Sequence, residues 1–119
     1  MEYLNYLLLV LVAFFFVQRL VPARGVRQIT TAELRKELND KNKQYIDVRT
    51  PGEFGTKNIR GFKNIPLHQL ANKAGQLSKE KEVVLICQSG MRSSKASKLL
   101  KKKGFKQVTN VKGGMSAWV

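Results

Sequence analysis

The residues with the clearest chemistry are Cys87-Gln88-Ser89-Gly90-Met91-Arg92-Ser93, in which Cys87 is the only cysteine of the chain. It directly follows the apolar run Val83-Val84-Leu85-Ile86. A strand that delivers a thiol to a short loop with one glycine and one arginine is arranged for nucleophilic chemistry. A free thiol has a pKa of about 8.5 and is mostly protonated at neutral pH. Loop N–H groups from Gln88 to Ser93, the positive end of the following helix and Arg92 would all favour the thiolate. The single histidine, His68, is remote in sequence and reads as an exposed helix residue. Activation by the local positive field is therefore expected rather than a Cys–His pair. A buried, inert cysteine is the alternative reading, and the strand-end position beside a glycine loop argues against it. One cysteine excludes an internal disulfide and a zinc cluster, so neither metal nor cofactor is expected, and a reducing compartment fits best.

The elements that must position this loop follow in order. Val26 to Ile29 reads as a short edge strand, and Thr30-Thr31-Ala32-Glu33 resembles a capping box opening a helix through Leu38. Gln44 to Val48 reads as a strand, and Arg49-Thr50-Pro51-Gly52 as a plain turn, with a brief helical turn from Glu53. Phe62 to Ile65 is a further strand, closed by Pro66. Leu67, Leu70, Ala71, Ala74 and Leu77 have helical spacing. Val83 to Ile86 is the central strand, and Ser93 or Ser94 is expected to cap the next helix. Lys101, Lys102 and Lys103 complement the negative end of that helix, and Gly104 stops it. Phe105 to Thr109 is a last strand, and Gly113-Gly114 turns into Met115-Ser116-Ala117-Trp118. Strands alternating with helices predict an α/β fold with a parallel sheet flanked by helices on both faces. Ligands in such folds bind outside the carboxyl ends of the strands. Cys87 lies at one such end and Asp47-Val48-Arg49 at another.

The N-terminal segment has a different character. Tyr3 to Val17 carries no charged residue, and continued to Val21 it approaches the roughly 20 residues of a membrane span. Glu2 and the lack of a preceding Lys or Arg argue against a cleaved signal peptide, although Val21-Pro22-Ala23 could serve as a cleavage site. Arg19, Arg24 and Arg27 follow the run. The expectation is one transmembrane helix at residues 1–21, a linker at 22–28 and the folded domain at 29–119. The positive-inside rule would place that domain in the cytoplasm, with the cell membrane as a partner.

The chain of 119 residues has 22 Lys and Arg against 8 Asp and Glu, a formal charge of +14. Such a balance draws anions. No zinc-finger, helix-turn-helix or aromatic RNA-binding pattern accompanies it, so a solvated basic surface is expected and no nucleic-acid partner.

Four motifs in this order resemble a single-domain rhodanese. They are Tyr45-Ile46-Asp47-Val48-Arg49; Glu53-Phe54 through Asn64-Ile65-Pro66-Leu67; the Cys87–Arg92 loop; and Val108-x-Asn110-Val111-x-Gly113-Gly114-Met115-x-Ala117-Trp118. The resemblance implies a sulfurtransferase in which Cys87 takes a sulfane sulfur from thiosulfate or another persulfide donor. The Cys87 persulfide then passes it to a protein or low-molecular-weight thiol acceptor, or to cyanide. Gln88, Ser89, Gly90, Met91, Arg92 and Ser93 would bind substrate, with the Arg92 fork suited to thiosulfate oxygens. Arg49 would add positive charge at the rim, its alternative being an ion pair with Glu53; Asp47 would be a structural support. Two departures stand out: Asn58 where the family commonly has histidine, and Phe62 where it has alanine. Related domains often continue through a short final helix, so either lower stability or a more open side of the site is expected. Phosphatases and arsenate reductases of related architecture place one more residue between cysteine and arginine than the four here. The shorter loop suits a single sulfur better than a phosphoryl group. A non-catalytic binding module of the same fold is the remaining alternative, disfavoured by the presence of the cysteine.

Overall fold

The computed structural model describes residues 2–20 and 25–118. A first helix, α1, spans Glu2–Leu20. Then come β1 (Val26–Ile29), α2 (Thr31–Glu37), β2 (Gln44–Asp47), α3 (Pro51–Thr56) and β3 (Lys63–Asn64). They are followed by α4 (Leu67–Lys73), which runs into a 3-10 turn at Ala74–Gln76, then β4 (Val83–Ile86), α5 (Met91–Lys102), β5 (Val108–Val111) and α6 (Gly114–Ala117). The five strands form one sheet in the order β1-β5-β4-β2-β3, with every pairing parallel.

No helix among the described residues is long and apolar enough to cross a membrane. This overturns the expected transmembrane anchor, and with it the membrane partner and the single-pass, cytoplasm-facing location. The physical reason is length. The uncharged run from Tyr3 to Val17 rises only about 22 Å as a helix, against about 30 Å of hydrocarbon. Pro22, the expected helix stop, and residues 22–24 of the expected linker lie outside the described residues. Val26 already pairs with Val108 in the sheet, so residues 26–28 belong to the folded part.

Strand alternation divides the core into two clusters, one on each face. Ile46, Val83, Leu85, Cys87 and Val108 pack with Leu70 of α4 and with Ala96 and Leu100 of α5. Tyr45, Val84, Ile86 and Val111 pack with Leu34 of α2 and Met115 of α6. Every residue of β4 is fully buried, as a central strand covered on both faces requires. Phe62 finds its room in the second cluster, where its ring meets Tyr45 edge-on at 5.4 Å. Asn58 donates from Nδ2 to the Phe54 carbonyl at 2.8 Å, closing the end of α3.

At the amino ends of the strands, the opposite end of the sheet from Cys87, four charges interlock. Arg27 and Lys43 both pair with Glu37, and Arg27 reaches Glu82 at 2.9 Å. Burial alone would push the Glu37 carboxyl up; hydrogen bonds from Arg27 and Lys43 outweigh it and hold it below its ordinary value. This network fastens α2 to the two strands whose other ends build the site.

Candidate active site

Each arm of the site begins at a strand end. β2 and β4 are neighbours with Asp47 opposite Ile86, so the segments leaving them, Val48-Arg49 and Cys87-Gln88, emerge side by side. β4 ends one residue before Cys87 because Gly90, at φ +106, turns the chain directly into α5. Only a residue without Cβ adopts that conformation cheaply. The helix therefore starts at Met91, not after Ser93, and Arg92 and Ser93 lie in its first turn.

The thiol is fully buried. The Gly90 N–H donates to Cys87 Sγ at 3.0 Å, and Ser93 Oγ lies 3.3 Å from the same sulfur. Ser93 is also fully buried and reaches the Gly90 carbonyl at 3.2 Å. The sulfur thus sits between a backbone donor and a hydroxyl at the amino end of a 12-residue helix. Gln88 and Ser89 are exposed, as is Met91, so these three line the outside of the loop.

Arg92 does not stand free. Its two terminal nitrogens hold the Glu53 carboxylate at 2.7 and 2.9 Å, a bidentate pair. Glu53 is in turn placed by a capping box: Thr50 Oγ1 accepts from the Glu53 N–H, and Glu53 Oε1 accepts from the Thr50 N–H. Thr50-Pro51-Gly52-Glu53 is therefore a helix start rather than a plain turn. Arg92 first, and then the Thr50 backbone, hold the Glu53 carboxyl down to about 2. The Glu53 contribution to stability is complete above its ordinary value of 4.5 and fades as pH falls through about 2. A Glu53→Gln variant should melt below wild type at neutral pH, by within about 1 kcal/mol for a partly exposed pair. Thermal midpoints measured down the acid range should converge below pH 2.

Arg49 is buried, 3% exposed, and its partner is Asp47 rather than Glu53. Asp47 accepts from the Arg49 backbone N–H at 2.9 Å and from Nε and Nη2 of the guanidinium. The same guanidinium donates to the Lys57 carbonyl and, at 3.4 Å, to Gln88 Oε1. Asn64 Nδ2 donates to the carbonyls of both Asp47 and Arg49, stitching β3 to the strand exit. Asp47 is thus held within the strand exit by Arg49, and Arg49 is part of the floor rather than an exposed rim group.

The other side of the loop is held by α6. The Met115 N–H donates to the Cys87 carbonyl at 2.8 Å and the Ser116 N–H to the Gln88 carbonyl at 2.9 Å. Gly114, at φ +54, permits this approach: an added Cβ would lie 2.9 Å from the carbonyl carbons of Cys87 and Gln88 and nearer still to the Cys87 oxygen. Trp118, half-buried in the second cluster under the Arg35 guanidinium, anchors the far end of α6. The sequence reading names Glu53 as a possible partner of Arg49 and Gly114 as part of a turn and a motif, but gives neither its place against Arg92 or the Cys87 carbonyl.

A thiol at the carboxyl end of a central parallel strand, held in a loop that becomes a helix, defines an α/β protein with a nucleophile-type site. A model of the rhodanese-like domain matches residues 30–119, and the chain belongs to the rhodanese-like family. The Bacillus subtilis (strain 168) putative sulfurtransferase YtwF is 40% identical over 94 residues, covering 78% of this chain and 90% of its own. YqhL of the same organism is 34% identical over 118 residues, covering 96% of this chain and 92% of its own. The crystal structure of a rhodanese-like domain protein from Staphylococcus aureus superposes with a TM-score of 0.73 at 34% identity, covering 79% of this chain and 92% of that one. These relationships support sulfurtransferase-type activity in general.

Proposed function

We propose that the protein is a sulfurtransferase that carries sulfane sulfur on Cys87, taking it from thiosulfate or an organic persulfide. The observation that supports this reading best is the single fully buried thiol at the β4 end, met by the Gly90 N–H and Ser93 Oγ. With thiosulfate, the Cys87 thiolate attacks the outer sulfur, the S–S bond of the donor breaks, and sulfite leaves with the bonding electron pair. A nucleophilic acceptor then attacks the terminal sulfur, and the electron pair of the broken bond returns to Sγ. Gly90 and Ser93 serve negative charge at Sγ in both steps, helped by the amino end of α5. Because Cys87 is buried, the donor reaches Sγ past the exposed side chains of Gln88, Ser89 and Met91, with the Gly90 N–H kept on the sulfur. Gln88, Ser89 and Met91 are then the residues that meet the donor. Arg92 meets its oxygens to the extent that it leaves Glu53.

Thiosulfate treatment should add about 32 Da, one sulfur, to the intact protein. Cys87→Ser should lose both this adduct and the formation of thiocyanate from thiosulfate and cyanide. Retention of either by Cys87→Ser would refute the assignment, as would turnover of an aryl phosphate without a sulfur adduct.

A further inference from the structure

Two arginines reach the cysteine loop, and each is met by a carboxylate. Arg49 is closed on Asp47 inside the strand exit. Arg92, in the first turn of α5, lies within electrostatic reach of Cys87 and gives both terminal nitrogens to Glu53. The two arginines together therefore add no net charge where a donor enters. Positive character at the sulfur itself is left to the Gly90 N–H and the amino end of α5. Glu53 is firmly placed for this task. Its Oε1 also accepts from the Thr50 N–H and hydroxyl, at 3.1 and 3.0 Å, so its own helix fixes the carboxylate as well as Arg92 does. It stays ionised throughout the neutral range, its carboxyl held down to about 2 chiefly by Arg92. Glu53 and Gln88 line one cavity, so the carboxylate borders the space through which a donor approaches. An incoming anion has two routes to the Arg92 fork. It takes a nitrogen from Glu53 and breaks a charge-assisted bond, or it sits beside the carboxylate and is repelled. Both cost binding, and neither touches an uncharged donor.

We infer that Glu53 is a specificity-determining residue: by holding the Arg92 fork it selects against donors that carry negative charge next to the transferred sulfur, thiosulfate among them. Glu53 acts through Arg92 and is a positioning residue. The inference rests on the reading of Cys87 as the sulfur carrier and adds the charge of donor that the site disfavours. Removing the carboxylate should thus improve the use of an anion. Loss of a merely structural pair would do the opposite or act on all donors alike.

The test compares alkylation of Cys87 by iodoacetate and iodoacetamide in the full chain, followed by intact mass. The two reagents differ by one negative charge, and in both the thiolate displaces iodide. Their rate ratio cancels any change in thiol ionisation or loop exposure that the variants share. In Glu53→Gln the iodoacetate-to-iodoacetamide ratio should rise about fivefold, as one partly exposed ion pair allows. The thiosulfate concentration for half-maximal sulfur loading should fall. Glu53→Gln/Arg92→Gln should return to the wild-type ratio, because the restrained fork is gone. Glu80→Gln, an equal charge change at the opposite end of β4, should leave the ratio unchanged. A ratio unchanged or lowered in Glu53→Gln, a gain that persists in the double variant, or an equal rise in Glu80→Gln would overturn the inference. Neither reagent transfers sulfur, so this outcome is separate from that of the sulfur-adduct experiment.

Discussion

Asp47→Ala is expected to lower the unfolding free energy by about 3–5 kcal/mol, because it leaves the Arg49 guanidinium buried without its counter-charge. Asp47 is fully buried and Arg49 is 3% exposed, so water cannot take over the lost bonds. Domains of this size have roughly 5–15 kcal/mol of stability in all, and the loss would consume a large part of it. The same change frees the Arg49 backbone N–H, and it loosens a guanidinium that also fixes Lys57 and Gln88. Urea unfolding should show the drop. The double variant Asp47→Ala/Arg49→Met should recover at least half of it, since the stranded charge is then gone and the side chain still fills the space. If Asp47→Ala melts within 1 kcal/mol of wild type, roughly the value of a surface pair, the pair is not the buried brace described.

Gly114→Ala is expected to reduce sulfur transfer by about 100-fold, the usual penalty for moving a reacting group by an ångström. The new methyl would meet the carbonyls of Cys87 and Gln88, neither of which can move without carrying the loop. Positive φ adds strain of its own. Gly104 separates these two effects. It also has positive φ, +93, but open space where a Cβ would stand. Gly104→Ala should therefore cost about 1 kcal/mol of stability and leave transfer near wild type. Equal activity in the two variants would show that the approach of α6 to the loop does not govern the site.

Much of the fold was legible because local signals agreed with one another. The apolar run of β4, the capping box of α2 and the turn at Gly113-Gly114 each predict the element that is found. The loop spacing and the paired strand ends likewise place Cys87 beside Asp47 and Arg49. What sequence could not supply were pairings made across the chain. Arg92 looks free for substrate until Glu53 is set opposite it by Thr50, and the same capping-box pattern read correctly at Thr30–Glu33 was present there. Proline at the first helical position disguised it as a turn. Arg49 had two plausible carboxylates near in sequence, and only the sheet geometry decides for Asp47. The N-terminal run misled because composition registers apolar character more readily than length. A stretch short of the hydrocarbon thickness scores well residue by residue and still does not span.

The bonds from Met115 and Ser116 to the carbonyls of Cys87 and Gln88 each close a span of 28 residues. The loop carbonyls gain these partners only when α6 docks, and β5, which leads into α6, pairs with the cysteine's own strand. Nucleophile geometry and closure of the sheet are therefore coupled in folding.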